Sequence, residues 1–276
     1  MTNRVCQPLK LKPHAYPGTL ITFCGVDGSG KSSVIGGLEQ ICQAAGLTCL
    51  RTFTPTRRIR EDPVFRSLVD DPCNTSSVDC SSYHSARRIN VLGLLLSIMG
   101  DLIQHTTDTI IPALQRGDVV FCDRYVFTSQ AEIGARSDLR ETEPVLASIA
   151  EHVLQPDLAF GLNVSGETSC RRVRSRNDQN DQPPPMIFLE RQVAAYQAVI
   201  EANGLVALDT ERGLDETLSV AVSRLAGVER LASLAREQAI VHTGTEASRY
   251  AGAPACHQRP GAPAVALSRS DDLQHA

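Results

Sequence analysis

Tryptophan is absent from the 276 residues, and lysine nearly so: Lys10, Lys12 and Lys31 stand against 24 arginines. The arginine bias reads as a compositional habit, which makes the placement of Lys31 worth following. No apolar run approaches the ~20 residues needed to cross a bilayer; the longest, around Val91–Met99, is about half that length. The N-terminus MTNRVCQPLKLKPHAYPG has no apolar h-region, which argues against a secretory signal. The nine cysteines are odd in number, scattered and without a CxxC pair. That excludes a disulfide framework or zinc ribbon and points to reduced thiols in a cytoplasm. There is no excess of positive charge either. A net charge of −4 argues against a broadly basic nucleic-acid surface. What remains is an ordinary globular composition, 42% hydrophobic and 21% charged, with material for a sizeable core.

Residues 1–17, with Pro8, Pro13 and Pro17, read as a flexible leader. TLITFC (Thr19–Cys24) is β-rich and apolar, as a buried parallel strand would be. Glycines follow, then a helical pattern from Lys31 to about Ala45. A second strand is expected at Leu47–Thr52 and a short helix at Val64–Val69. A long helical stretch from Ser82 to Gln115 is expected to kink at Pro112, with the VLGLLLSIM segment buried all round. Further strands are expected at Asp118–Cys122, Asp157–Val164 and Leu205–Leu208. Helices are expected at Gly166–Arg176, Ile187–Asn203 and Leu214–Glu237. Alternating strands and helices predict an α/β fold with a parallel sheet of about five strands flanked by helices. Beyond about Thr243 the chain is rich in Ala, Gly, Pro and Ser and reads as a disordered tail.

The strongest motif is GVDGSGKSS, Gly25 to Ser33: Gly25, four residues, Gly30, Lys31, Ser32, set between a strand and a helix. Glycines at 25, 28 and 30, with Ser29 and Ser33 beside them, let backbone amides cradle phosphate oxygens at a helix N-terminus. Lys31 supplies charge to the terminal phosphates, and the Ser32 hydroxyl is a ligand for Mg²⁺. A second half-site follows DVVFC, which delivers Asp123, Arg124 and Tyr125 at the carboxyl end of a strand, where ligands of such sheets bind. Asp123 after four apolar residues suits Mg²⁺ as well; an ion pair capping the strand is the alternative.

The stretch IIPALQRGDVVFCDRY (Ile110–Tyr125) with VFTSQA after it resembles the thymidylate kinase family, as do Asp27 in the loop, PDLAFGLNVSGETSCRRVRSR and VALDT. The resemblance spans residues 18–226 and leaves out the leader and residues 227–276, the end of the last helix and the tail. It implies a three-layer P-loop fold and transfer of the γ-phosphoryl group of ATP to the 5′-phosphate of a pyrimidine nucleotide. It further implies a nucleotide as small-molecule partner, no nucleic acid or membrane, and a possible homodimer through long helices. By resemblance Asp27 lies by the acceptor's sugar and the metal, and Arg124 grips the acceptor phosphate. Tyr83 and Arg87, four apart on a helix, match a pair that stacks on the base and holds base or phosphate. Packing is the alternative for Tyr83, and Arg88 the alternative register for Arg87. Gly28 stands where some members carry an arginine, and members without it use basic lid residues. Arg172, Arg174 and Arg176 are the candidates here, with a solvated helix face as the alternative for each. Thr128 and Ser129 match polar residues near the nucleotide.

Three positions depart from the family pattern. Cys24 replaces a glutamate, Thr54-Pro55 lacks the usual acidic residue, and Glu132 occupies a tyrosine position near the acceptor's sugar. Cys24 is either a reactive thiol or an inert one at a buried strand end. A carboxylate at 132 favours an acceptor with an additional donor over thymidine monophosphate, unless Glu132 faces solvent or pairs with Arg136. The competing functions are a kinase for another nucleoside or modified nucleotide, and a non-catalytic nucleotide-binding regulator. The latter would have little need of Arg124, Arg87 or the lid arginines.

Overall fold

The computed structural model describes residues 6–69, 84–135, 142–176 and 183–231. Five strands form one parallel sheet in the order β2-β3-β1-β4-β5: β1 Thr19–Cys24, β2 Cys49–Phe53, β3 Val119–Asp123, β4 Leu158–Asn163 and β5 Val206–Asp209. Each was expected from the sequence, β1 with the same ends and the other four with ends shifted by one or two positions. In β1 the pleat sends Ile21 and Phe23 to one face, and Leu20 and Cys24 to the other. β3 does the same with Val119 and Phe121 against Val120 and Cys122. Two cores result, one on either side of the sheet, which is the expected three-layer α/β arrangement.

Helices α1 (Lys31–Ala44), α2 (Arg57–Glu61), α3 (Pro63–Val69) and α4 (His84–His105) occupy the first half. The kink expected at Pro112 is a π turn over Thr106–Ile110, ahead of α5 (Ile111–Arg116). Pro112 has no N–H to return to Asp108, and the Ile111 N–H bonds Thr106 O five residues back. The VLGLLLSIM segment is not buried all round. Leu95 and Met99 are in the core, whereas Leu96 is 47% exposed. Helices α6 (Val126–Ala135) and α7 (Glu143–Ala150) follow β3; α7 was not expected from the sequence. α8 (Gly166–Arg174), α9 (Met186–Asn203) and α10 (Leu214–Leu225) complete the layers. α10 is shorter than the expected Leu214–Glu237, giving way to a 3₁₀ turn at Glu229–Leu231.

The expected loose leader lies instead against the domain from Cys6 onward. Leu9, Leu11 and Tyr16 pack on the core, the Lys12 N–H bonds Val153 O at 2.8 Å, and the Gln155 N–H returns to Lys12 O at 2.7 Å. Backbone pairing of this kind needs no periodic sequence, so periodicity gave no sign of it. The tail from residue 232 lies outside the described residues.

Candidate active site

Strand register builds the site. Phe23 of β1 and Phe53 of β2 both pair with Asp123 of β3, so three carboxyl ends finish in one row. The loop after β1 rises between them and turns into α1, whose first turn holds no acidic residue to cancel its positive end. Gly30 caps it at φ +87°. Lys31 is buried and its Nζ donates to Gly25 O (2.8 Å) and Val26 O (2.9 Å), which curls the loop around it. Burial, then the Arg124 charge, lower its pKa to about 8, with Asp27 and Asp123 opposing.

The glycine at position 28 has a steric reason. It sits at φ +78°, and a Cβ there would lie 2.5 Å from Ser169 O in α8. Ser169 Oγ donates to Asp27 O at 2.5 Å, and Arg172 Nη1 donates to Gly28 O at 3.3 Å. α8 is packed so closely on the loop that position 28 has no room for an arginine.

Asp27 and Arg124 face each other across the loop in an ion pair. Burial alone would raise the Asp27 carboxyl, but Arg124, Lys31 and Arg176 outweigh it and hold it below its usual range. Arg124 has φ +69°, rare for a residue with a side chain and a mark of functional sites. Its backbone is pinned by its N–H to Phe23 O (2.9 Å) and by Thr54 Oγ1 donating to its carbonyl (3.1 Å).

These groups line a cleft of about 600 Å³. Of the expected residues it brings together Asp27, Gly28, Gly30, Lys31, Ser32, Ser33, Asp123, Arg124 and Arg176. Gly25 and Ser29, in the same loop, are buried and do not line the cleft. Arg172 is tied to Thr210 O at 2.7 Å and braces the loop against the turn after β5. Arg174 is exposed on α8 and does not line the cleft. Thr128 and Ser129 are buried on α6, Thr128 Oγ1 without a hydrogen-bond partner, and neither reaches the cleft. Tyr83 lies outside the described residues, as do the side chains of Arg87 and Arg88. Glu132 does not simply face solvent: Gln192 Nε2 donates to both its oxygens (3.0 and 3.1 Å) and the Tyr196 hydroxyl to Oε1 (3.2 Å). Cys24 is buried and its thiol is pushed up to about 12 by that burial, which makes it the inert strand-end cysteine.

Arg51, Phe53 and Arg60 also line the cleft and were missed. Arg60 lies over the Phe53 ring at 5.1 Å and its Nε donates to Pro55 O at 2.8 Å, across the cis Thr54-Pro55 bond. The run TPTRRIR after β2 was the available signal.

The oxygen donors suit Mg²⁺. Asp123 Oδ1 is buried with no hydrogen-bond partner, and the Ser32 hydroxyl lies in the same cleft. Among the described residues no group of three His, Cys, Asp or Glu is assembled to cage a metal. Mg²⁺ characteristically takes one or two protein oxygens and completes its shell with phosphates and water.

A loop for terminal phosphates and an arginine facing it across one cleft suit phosphoryl transfer between two anions. The sequence agrees. Residues 23–220 match the Thymidylate kinase family. The chain belongs to that family. A thymidylate kinase from Ligilactobacillus salivarius is 31% identical over 221 residues, covering 75% of this chain and 97% of the relative. One from Chromohalobacter salexigens is 29% identical, covering 79% and 98%. A probable thymidylate kinase from Pyrococcus abyssi is 30% identical over 59% of this chain and 74% of its own length. As a thymidylate kinase family member the protein is a phosphotransferase with ATP as donor and nucleotides as small-molecule substrates. No described helix is long and apolar enough to cross a membrane.

Proposed function

We propose that this protein transfers the γ-phosphoryl group of ATP to the 5′-phosphate of thymidine monophosphate, giving the diphosphate. The observation that carries this reading is the facing of Lys31 and Arg124 in one cleft with Asp27 between them, inside the region matched by the family. Two polyanions must approach, so the work is positioning and charge neutralisation. The amides from Gly28 to Ser33 and the start of α1 hold the β- and γ-phosphates, with Gly25 and Ser29 shaping the turn. The Lys31 ammonium follows the charge as it moves on the transferring group. Arg124 holds the acceptor phosphate in line, with Arg60 beside it. Arg176 covers the donor from the turn after α8, while Arg172 fixes α8 on the loop. Ser32 and Asp123 would hold Mg²⁺, which neutralises charge on the phosphates when bound. Tyr83 and Arg87 are assigned to the acceptor base.

The six described cysteines are all free, which supports a reducing compartment and thus the cytoplasm. Leu96 and Ile103, seven apart on α4 and both exposed, support a homodimer through that helix. The test of the function is ADP formation with thymidine monophosphate, deoxyuridine and deoxycytidine monophosphates, or thymidine as acceptor. Thymidine monophosphate should give the highest kcat/KM, with little ADP in the absence of an acceptor. Acceptor-independent hydrolysis, or preference for unphosphorylated thymidine, would refute the reading.

A further inference from the structure

The chain leaves β2 as TFTPT, Thr52 to Thr56, with a threonine at every other position. Each threonine turns its hydroxyl to a neighbouring element. Thr52 Oγ1 is hydrogen-bonded to Nε2 of His105 in α4 at 2.6 Å. Thr54 Oγ1 donates to Arg124 O at 3.1 Å, and the Thr54 N–H to Asp123 O at 3.1 Å. The Thr56 hydroxyl donates to Asp101 Oδ1 at 2.5 Å, and the Thr56 N–H to Asp101 Oδ2 at 2.7 Å. Asp101 and His105 are four apart on α4, so one face of that helix grips the segment at both ends. The end of β3 grips it in the middle. Phe53, between these anchors, is left 42% exposed in the cleft.

Thr56 carries more than itself. It caps α2, its Oγ1 accepting the Ile59 N–H at 3.5 Å. Arg60 of α2 donates its N–H to Thr56 O at 3.2 Å and its Nε to Pro55 O at 2.8 Å. A guanidinium has five donors; with Nε on Pro55 O, the Nη groups are left for an anion in the cleft. A helix as short as α2 is not stable by itself and takes its place from outside contacts. Asp101 supplies them, since both its oxygens end on the cap residue in charge-assisted bonds.

We propose that Asp101 is a positioning residue for the acceptor side of the cleft, acting through Thr56 on Arg60. The inference rests on the reading of Arg60 as a partner of the acceptor phosphate beside Arg124. Each link is a direct hydrogen bond, from Asp101 to Thr56 and from Thr56 to Arg60. The phosphate loop is held separately, by Lys31, Ser169 and Arg172, so the donor should not feel a change at Asp101.

The experiment measures the Kd of thymidine monophosphate by calorimetry without ATP, with KM values for both substrates and the Tm. The variants are Asp101→Ala, Thr56→Ala, Thr56→Ser and Arg60→Ala, plus Asp101→Ala combined with Arg60→Ala. Asp101→Ala should raise the acceptor Kd about tenfold, as loss of a charge-assisted anchor would, and leave the KM for ATP within about twofold. Thr56→Ala should raise the acceptor Kd by about three- to tenfold, whereas Thr56→Ser, which keeps the hydroxyl, should stay within about twofold of the parent. In the Arg60→Ala background the Asp101 change should add less than about twofold, because it acts through the missing guanidinium. An unchanged or tighter acceptor Kd in Asp101→Ala, additive effects with Arg60→Ala, or equal rises in both KM values with a fallen Tm would each overturn the proposal. If Asp101→Ala does not fold, the two Thr56 variants decide, and equal acceptor Kd values in them overturn it. A parent that fails to bind thymidine monophosphate defeats the functional reading and this inference with it. A parent that binds it, with variants that match, defeats the inference alone.

Discussion

Lys31 carries its charge where there is little water to support it, at 7% exposure between two carbonyls of its own loop. Its pKa of about 8 in the folded protein lies below the unfolded value of 10.5. The charged form is thus destabilising in the fold, by about 3 kcal/mol. That cost is fully present below about pH 8 and fades as pH rises towards 10.5. Bound phosphates reverse the balance by pairing with the ammonium. Lys31→Met should therefore lower kcat/KM for ATP by at least about 10²–10³-fold, while the nucleotide-free Tm at pH 7 is no lower than the parent's. In the parent the Kd for ATP should weaken as pH rises through about 8, where the free lysine loses its charge. Near-parental turnover in the variant, or a pH-independent Kd from 7 to 9, would show that Lys31 does not meet phosphate.

At the scale of elements, α8 and the phosphate loop form one unit, and Gly28 is where they touch. Gly28 and Gly46 both have left-handed backbones, at φ +78° and +76°, yet only at Gly28 does an added Cβ meet anything within 4 Å. Gly46→Ala bears the conformational cost alone, about 1 kcal/mol. Gly28→Ala must also move the Ser169 backbone. It should raise the KM for ATP at least about tenfold and lower the Tm by several degrees more than Gly46→Ala. Equal effects of the two changes would contradict the tight packing of α8 on the loop. Some of this was legible in the sequence and some was not. The five strands were, because each is a short apolar run ended by turn residues. So were the loop from Gly25 to Ser33 and Asp123-Arg124, because their chemistry depends on local spacing. α7, the packed leader and Arg60 were not. Their places follow from what they meet in three dimensions: for the leader Val153 and the Asn203 Oδ1 that accepts from the Leu9 N–H at 2.8 Å, for Arg60 the Phe53 ring. Glu132 could be singled out as unusual, but its partners lie 60 and 64 residues away on α9.

For the molecule as a whole the question is where the working unit closes. Leu231, at 1% exposure, is the last described core residue, and Arg230 Nη1 donates to Gly18 O at 2.6 Å, tying this end to the start of β1. The family match stops at residue 220, and relatives covered over 97–98% of their length align to about three-quarters of this chain. The cleft draws every lining residue from positions 27–176. Residues 240–276, dominated by Ala, Gly, Pro and Ser, have no apolar period with which to add to either core. Removing them should leave kcat/KM for both substrates within about twofold and the Tm within about 2 °C, since a segment with no apolar pattern to bury contributes little to a core. A steady-state assay and a thermal melt on the shortened chain suffice as the check. A tenfold fall in kcat/KM would place part of the site in those residues, and a fall of 5 °C or more would place part of the core there.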